Sequence, residues 1–438
     1  MDNKNTSSID NIDTLDGKVP VGKAIPFGLQ HVLAMFVANI APIMIVAGTC
    51  GLSSADTARL IQTAMIIAGI GTLIQLFPIW RIGSRLPIVM GISFTFVSIF
   101  CYVGPRYGYS AVIGAIIIGG IVEGLLGLFA KYWRKLISPI VAACVVTAIG
   151  FSLLPVGANS FAGGTGSANF GSKENWILGS FTLLCCLLFN LLAKRHWKQL
   201  SVLFGLVMGY ILAVCMGMVD FSAFQNAEIA SLPEFLPYKP TFNLSAIISV
   251  VTIFLVSATE TIGDTSALTA TAWNRNASER EISGSLACDG FISSISALFG
   301  CMPITSFSQN VGLIAMTKVV NRFAIATGAG IMILAGLFPA VGAALATLPE
   351  AVLGGCTIMM FGNIVISGLQ MIGNCGFTQR NITIAALSLS IGLGFTQAPE
   401  MFAIFPDIIR TIFAENCVAV VFIVAIILNL LMPKDNKK

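Results

Sequence analysis

Apolar stretches close to the ~20 helical residues needed to cross a bilayer core recur along this chain from residue 24 to residue 432. They lie at about 24–48, 57–80, 86–103, 108–130, 137–157, 176–193, 199–219, 243–268, 284–301, 303–317, 322–347, 351–373, 381–396 and 411–432, separated by charged residues or by Gly, Pro and Asn. One water-facing core cannot absorb so much apolar surface: 56% of the 438 residues are hydrophobic and 10% are charged, against roughly a quarter charged in a soluble domain. The pattern predicts an all-α polytopic membrane protein of fourteen transmembrane segments, with both termini on the same side. The bilayer is then the first partner, and nothing in the charge pattern suggests nucleic acid.

The charges supply an independent check. With both ends in the cytoplasm, Arg59, Arg106, Lys173, Lys239 and Arg410 fall outside and the rest of the 24 Lys and Arg fall inside, as the positive-inside rule requires. One missing span would scramble that alternation. Residues 1–23 lack the layout of a signal peptide and read as a solvated cytoplasmic tail, with 433–438 as a second. The 11 Cys form no CxxC pair and have no matching His spacing, so neither a disulfide framework nor a metal site is expected. His196, in a Lys- and Arg-rich loop, reads as solvated.

Two apolar blocks are abnormal. The third is short, opens on Pro87 and carries Ser93-Phe94-Thr95 at its middle; the tenth opens on Pro303 and carries Ser306-Phe307-Ser308-Gln309-Asn310 where lipid-facing Leu and Ile belong. If fourteen spans form seven plus seven, these two blocks correspond. Polar interruptions at matched positions of two halves mark a transporter site, because irregular backbone at membrane depth survives only inside protein or beside a cavity.

Glu260 and Asp264 in the eighth block are four residues apart, which puts both carboxylates on one helical face. Ionised acids deep in a bilayer cost at least ~2.5–3.5 kcal/mol, so they normally face a polar interior and mark a substrate or proton path. Asp264 is nearer the Arg275 loop, where a wetted helix end is the plainer reading. Asp289 lies beside the turn holding Arg275, Arg280 and Glu281, where a structural salt bridge competes with a functional role. Gln30 and His31 in the first block read as support residues, with His31 divided between an interhelical hydrogen bond and proton relay. The Gln309 and Asn310 amides offer donor and acceptor together and complement the C(=O)–NH edge of an oxopurine or uracil ring. Glu260 can accept from neighbouring ring N–H groups, and Phe94 can lie against a flat heterocycle. By physics alone an amino acid or a small anion also fits. An intramembrane aspartyl protease is disfavoured, since Ile262-Gly263-Asp264 lacks the first Gly of a Gly-x-Gly-Asp motif and no Tyr-Asp partner stands in a neighbouring span. A channel or anion exchanger would want a basic residue at the breaks, and neither break contains one.

Residues 308–318, Ser308-Gln309-Asn310-Val311-Gly312-Leu313-Ile314-Ala315-Met316-Thr317-Lys318, resemble the motif of the nucleobase–ascorbate transporter family, (Gln/Glu/Pro)-Asn-x-Gly-x4-Thr-(Arg/Lys/Gly), at every fixed position. Gln30-His31 resembles that family's Gln-His pair, Glu260-Thr261-Ile262-Gly263-Asp264 its Glu-Ser-x-Gly-Asp element, and Asp289 its acid in span nine. The resemblance covers the chain apart from its tails. It implies two inverted seven-span repeats, with a core domain at 24–130 and 243–347, a gate domain at 137–219 and 351–432, and short strands in spans three and ten. It further implies elevator-like transport in a homodimer, driven by H⁺ or by Na⁺, with no organic cofactor. Glu260 and Gln309 would hold the base by their side chains, with main-chain groups near Phe94 and Ser308 completing the contacts. Gln30, His31, Asp264, Asp289 and Asn310 would organise the site or couple the ion. Gln at position 309 resembles the xanthine and uric acid branch, where uracil carriers have Glu. Ser93 stands where purine members differ, and its small side chain leaves room for the extra carbonyl of uric acid. The alternatives left open are a uracil or other nucleobase permease, or an anion exchanger or channel on the same fold.

Overall fold

The computed structural model describes residues 11–134, 137–220, 230–406, 409–410 and 413–433, with the side chains of Arg195 and His196 outside the description. The expected solvation of His196 and the ends of both tails therefore lie outside the described residues. In chain order the helices are α1 (Val21–Thr49), α2 (Ser54–Leu76), α3 (Val97–Tyr107), α4 (Tyr109–Leu128), α5 (Pro139–Phe161), α6 (Lys173–Leu192), α7 (Ser201–Cys215), α8 (Leu244–Trp273), α9 (Glu279–Leu298), α10 (Ser308–Thr317), α11 (Arg322–Gly336), α12 (Pro339–Ala346), α13 (Glu350–Asn374), α14 (Gln379–Thr396) and α15 (Cys417–Leu431). Strands β1 (Met90–Ile92) and β2 (Ile304–Ser306) precede α3 and α10.

Helix starts follow local chemistry. Ser53, Ser172, Asn243, Asn321, Thr378 and Asn416 each accept a backbone N–H from the first turn of the helix they open, satisfying a donor that the helix cannot. Ser278 and Glu281 form a reciprocal capping box at α9.

By length and composition eight helices among the described residues are long and apolar enough to cross a membrane, or up to nine if a bent pair counts once. This is a multi-pass membrane protein. Several of the fourteen blocks are shorter than the sequence suggested: α3 has 11 helical residues, α10 has 10, and α7 and α15 have 15 each. Block 322–347 is not one continuous span, because α11 and α12 meet at 80° across Leu337-Phe338, just ahead of Pro339, whose ring cannot sit in a helix interior.

Helix α1 is the axis of the molecule, with residues 37–47 buried without a break. Elsewhere glycine allows helices to meet closely. A Cβ on Gly127 of α4 would lie 2.3 Å from the backbone of Ala287 in α9, and one on Gly354 of α13 would lie 2.1 Å from that of Phe161 in α5. Small residues at helix crossings are how membrane bundles gain dispersion contact without a hydrophobic drive between helices. The principal pairings are α4 with α9, α2 with α11, α1 with α11, α8 with α4, α6 with α7, α14 with α15, and α5 with α13.

The two polar breaks meet at the centre. β1 and β2 pair antiparallel, Met90 opposite Ser306, Gly91 opposite Thr305 and Ile92 opposite Ile304. The bonding continues past the strands, Ser93 N–H donating to Pro303 O at 3.1 Å and Phe307 N–H to Val89 O at 2.9 Å. A Cβ on Gly91 would meet Met35, Asn39 and the Phe307 ring at 2.7 to 3.0 Å, so any larger residue there would have to push these side chains aside. All six strand residues are buried, so the N–H groups that face away from the partner strand need side-chain acceptors: Met90 donates to Thr72 Oγ1, Ile92 to Asn39 Oδ1, Ile304 to Ser293 Oγ and Ser306 to Asp289 Oδ2.

Candidate functional site

Beyond β1 and β2 the chain turns back into helix, through a short 3-10 turn at Phe94–Phe96 leading into α3 and directly into α10. Two helix N-termini therefore begin inside the molecule beside α8. The first N–H groups of a helix have no intrahelical partner, and together they make a region of positive potential suited to carboxylates and to carbonyl oxygens of a ligand.

Glu260 of α8 faces this region. Thr95 Oγ1 donates to Glu260 Oε2 at 2.7 Å, and Ser308 Oγ lies 3.4 Å from Glu260 Oε1 and 2.7 Å from Asp264 Oδ2. One hydroxyl thus spans the two carboxylates that the four-residue spacing puts on one face. A carboxylate has about four acceptor positions, so Glu260, half-buried and held by these two hydroxyls, keeps capacity for a ligand.

Asp289 of α9 is arranged otherwise. It is fully buried and accepts from Thr261 Oγ1 at 2.6 Å, Ser306 N at 2.9 Å, Ser306 Oγ at 2.9 Å and Gln75 Nε2 at 3.2 Å. The salt bridge weighed for Asp289 is not formed: Arg280 donates to the carbonyls of Trp80, Arg81 and Gly83, and Arg275 pairs with Glu281. Asp289 instead fastens β2 to α8 and α2.

A cavity of about 520 Å³ lies beside Glu260, lined on one side by Ser93, Phe94, Thr95, Glu260, Ser308, Gln309 and Gly312. Its opposite wall comes from α5, α7 and α13, through Val146, Ile149, Val202, Met360, Asn363 and Ser367. That volume suits a small-molecule site. Gln309 is exposed to it. No atom lies within 4 Å of a Cβ built on Gly312, so glycine there leaves open space in the cavity wall. Phe94 is only 8% exposed and meets Phe361 of the opposite wall edge to face, ring centroids 5.4 Å apart.

The remaining candidates stand behind this surface. Asn310 is buried with its Oδ1 lacking a partner among the described residues, while its Nδ2 points at Met35 Sδ, 4.0 Å away. His31 is 2% exposed and neither ring nitrogen has a partner among the described residues, so the interhelical hydrogen bond weighed for it is not made. Gln30 is half-buried and does not line the cavity. The end of the motif has a structural meaning. Thr317 Oγ1 bonds back to Leu313 O at 2.8 Å, Lys318 takes a left-handed conformation at φ 58°, and Lys318 Nζ reaches Thr271 O at 3.0 Å. The motif thus stops α10 and ties its end to the end of α8.

Several residues were not found by reading the sequence. Thr95 is the nearest donor to Glu260. Asn39 holds β1 by accepting Ile92 N–H at 2.7 Å. Gln75 joins Ser84 N–H, 3.0 Å away, to Asp289. Glu123 of α4 is fully buried with both oxygens unpartnered among the described residues. Lys198 lines the cavity from the turn at Arg195–Leu200, so a basic residue does face the site although neither break contains one. Asn39 and Gln75 did carry a signal, as amides inside apolar blocks.

Comparisons with known proteins bear on the family and the fold. The family model Xan_ur_permease, described as a permease family, matches residues 22–401. The xanthine permease XanQ of Escherichia coli K12 is 34% identical over 451 aligned residues, covering 99% of this chain and 96% of the relative. The uric acid permease PucK of Bacillus subtilis is 36% identical over 379 residues, covering 86% and 88%. Among solved structures, the transmembrane domain of the cyanobacterial bicarbonate transporter BicA aligns with TM-score 0.61 at 13% identity, over 95% of this chain and 99% of that one. The murine anion transporter Slc26a9, in its inward-facing state, aligns with TM-score 0.62 at 12% identity over 98% and 73%. At such identities these two establish the fold alone. The full-length sequence matches establish more: this chain belongs to the xanthine/uric acid permease family, and its relatives are transporters, not enzymes.

Proposed function

We propose that the chain is a secondary active transporter that takes up a purine base, xanthine or uric acid, coupled to protons. The observation that carries this is the presence of Glu260 and Gln309 on the same side of one cavity, beside two helix N-termini. Glu260 accepts from ring N–H groups, the Gln309 amide reads an adjacent C(=O)–NH edge, and the free N–H groups of α10 bind ring carbonyls. Ser93 and Gly312 leave room in the wall for a further carbonyl. The relatives named for xanthine and for uric acid point to the same class of solute.

The helix pairings support two seven-span repeats. Adding seven to each span number turns α4 against α9 into α11 against α2, α6 against α7 into α14 against α15, and α1 against α11 into α8 against α4; α5 with α13 and β1 with β2 map onto themselves. With that symmetry, spans one to four and eight to eleven form the core that carries Glu260 and Gln309. Spans five to seven and twelve to fourteen form the gate that supplies the opposite wall. The loaded core then moves against the gate in a homodimer in the cell membrane, with both termini cytoplasmic. Protonation of Glu260 removes a buried charge and completes its hydrogen bonding to the base, with His31 and Asp289 tuning that step.

Uptake of radiolabelled xanthine and uric acid, in cells lacking their own permeases, tests this reading. The native chain should accumulate one or both, and Gln309→Glu should shift preference away from xanthine by about tenfold, the loss of one well-placed hydrogen bond. Retained xanthine selectivity in Gln309→Glu would remove the role given to that amide. Vesicles with H⁺ and Na⁺ gradients imposed separately decide the coupling ion, and uptake driven by Na⁺ alone contradicts the proton assignment.

A further inference from the structure

The N-terminal segment 11–19, expected to be a solvated tail, is bound to the body of the protein. The buried side chain of Asn321 donates to three of its carbonyls, Asn11 O at 3.2 Å, Thr14 O at 3.0 Å and Gly17 O at 2.7 Å. The bonding is returned by the backbone, Val320 N–H and Asn321 N–H donating to Ile12 O, both at 3.2 Å, and Arg322 N–H to Leu15 O at 3.0 Å. Val19 packs in a small apolar cluster with Ala24, Val319 and Ala324. Each of those bonds lands on Val320, Asn321 or Arg322, where the linker from the motif helix α10 enters α11.

At the tip of the segment, the Asp16 carboxylate accepts from Arg322 and, at 3.2 Å, from Arg85 Nη2. Arg322 follows α10, and Arg85 precedes β1. Arg322 also donates to Leu76 O, the last carbonyl of α2, at 2.7 Å, where a cation complements the helix dipole. From Arg85 the bonding runs inward without a gap: Arg85 N–H donates to Gln75 O at 2.8 Å, Gln75 Nε2 donates to Asp289, and Asp289 accepts from Ser306 N–H of β2. The segment therefore touches both halves of the crossover, directly at its outer ends and through Gln75 and Asp289 at its strands.

We propose that residues 11–19 form a strap that clamps the two broken spans at the Lys- and Arg-rich end of the molecule, so that the β1–β2 crossover and α10 move as one unit. Asp16 and Asn321 are then positioning residues for the substrate site. They touch no substrate, and they fix the angle at which α10 presents Ser308 and Gln309 to Glu260. The inference rests on the purine-transport reading only for its transport readout.

Amide hydrogen exchange on the full-length protein tests it without a substrate. Asn321→Asp keeps an acceptor for Ala324 N–H and so the cap of α11, while it turns the donor that holds three carbonyls into a repelling group. It should speed exchange in residues 11–19 and also in 304–317 by at least about tenfold, the equivalent of one lost buried hydrogen bond. Asp16→Asn, at an exposed residue, keeps the test open if Asn321→Asp fails to insert, and should give about a two- to fivefold change, as exposed ion pairs do, restored by Asp16→Glu. In uptake assays both should raise KM with little change in maximal rate. Faster exchange confined to 11–19, with 304–317 and KM unchanged, would overturn the clamp and leave a docked tail. Failure of purine uptake in the native protein would leave the exchange result standing, so the two readings fail separately.

Discussion

Glu260 and Asp289 are both carboxylates in apolar helices, linked through Thr261, the neighbour of Glu260 whose hydroxyl donates to Asp289, and their surroundings could hardly differ more. Asp289 is sealed from solvent and receives hydrogen bonds from a strand N–H, two hydroxyls and an amide. Glu260 is open to a cavity and receives one short hydroxyl bond and one long one. A buried acid whose acceptors are all used serves as a structural fastener; one with acceptors to spare, facing empty volume, is free to receive a solute. The difference teaches that residue type and membrane depth, which the two share, do not separate scaffold from site. The number of donors already committed does.

The comparison can be broken at several points. The largest effect should follow from Asp289→Ala, which orphans Ser306 N–H and Thr261 Oγ1 and leaves Gln75 Nε2 only its 3.3 Å bonds to Ser285; a loss of about 3–5 kcal/mol of stability is expected, read as a collapse of thermal unfolding temperature in detergent. An Asp289→Ala protein that melts like the parent but binds no purine would exchange the roles of the two acids. Thr95→Val is a finer probe. It deletes the short donor to Glu260 at constant shape and should weaken purine binding roughly fivefold with stability nearly intact, as ligand-induced thermal shifts would show.

The smallest effect concerns pH, far from either acid. Asp16 is held below the ordinary carboxylate range, first by the hydrogen bond from Arg322 and then by the charges of Arg322 and Arg85, against partial desolvation. A depressed carboxyl stabilises the fold above its unfolded pKa, about 3.9, and that contribution is lost as pH falls through the lowered folded value. The difference in melting temperature between the parent and Asp16→Asn should therefore stay constant across the neutral range and vanish only in strong acid. A difference that changes between pH 8 and pH 6 would show that some other group governs the strap.

Much of this was legible in the residues. Pro87 and Pro303 marked the broken spans and polar residues at membrane depth marked the candidate site, while α9 begins at Glu279, ahead of the apolar block at 284–301. The spacing of Glu260 and Asp264 put them on one face, where Ser308 Oγ reaches both. What escaped has a common cause. Thr95 is an unremarkable residue until the crossover sets it against α8, and Lys198 belongs to a loop whose approach to the cavity depends on how α6 and α7 pack. Residues 11–19 look solvated because their polar side chains do little of the work: backbone carbonyls meet Asn321, a partner some three hundred positions away. The bend of α11 into α12 was foreshadowed by Pro339 but was hidden inside a continuous apolar block.

One measurement bears most directly on the claim that Glu260, and not Asp289, is the acid that receives the substrate. Purified parent, Glu260→Gln and Asp289→Asn proteins would be titrated with xanthine and uric acid, and both the unliganded melting temperature and the ligand-induced shift recorded. The account predicts that Glu260→Gln melts close to the parent and loses about tenfold in affinity, the worth of one hydrogen bond, since the Gln amide offers one oxygen acceptor where Glu260 has two. Asp289→Asn should melt lower while whatever remains folded still responds to purine. A Glu260→Gln protein that binds purine as tightly as the parent would contradict the account.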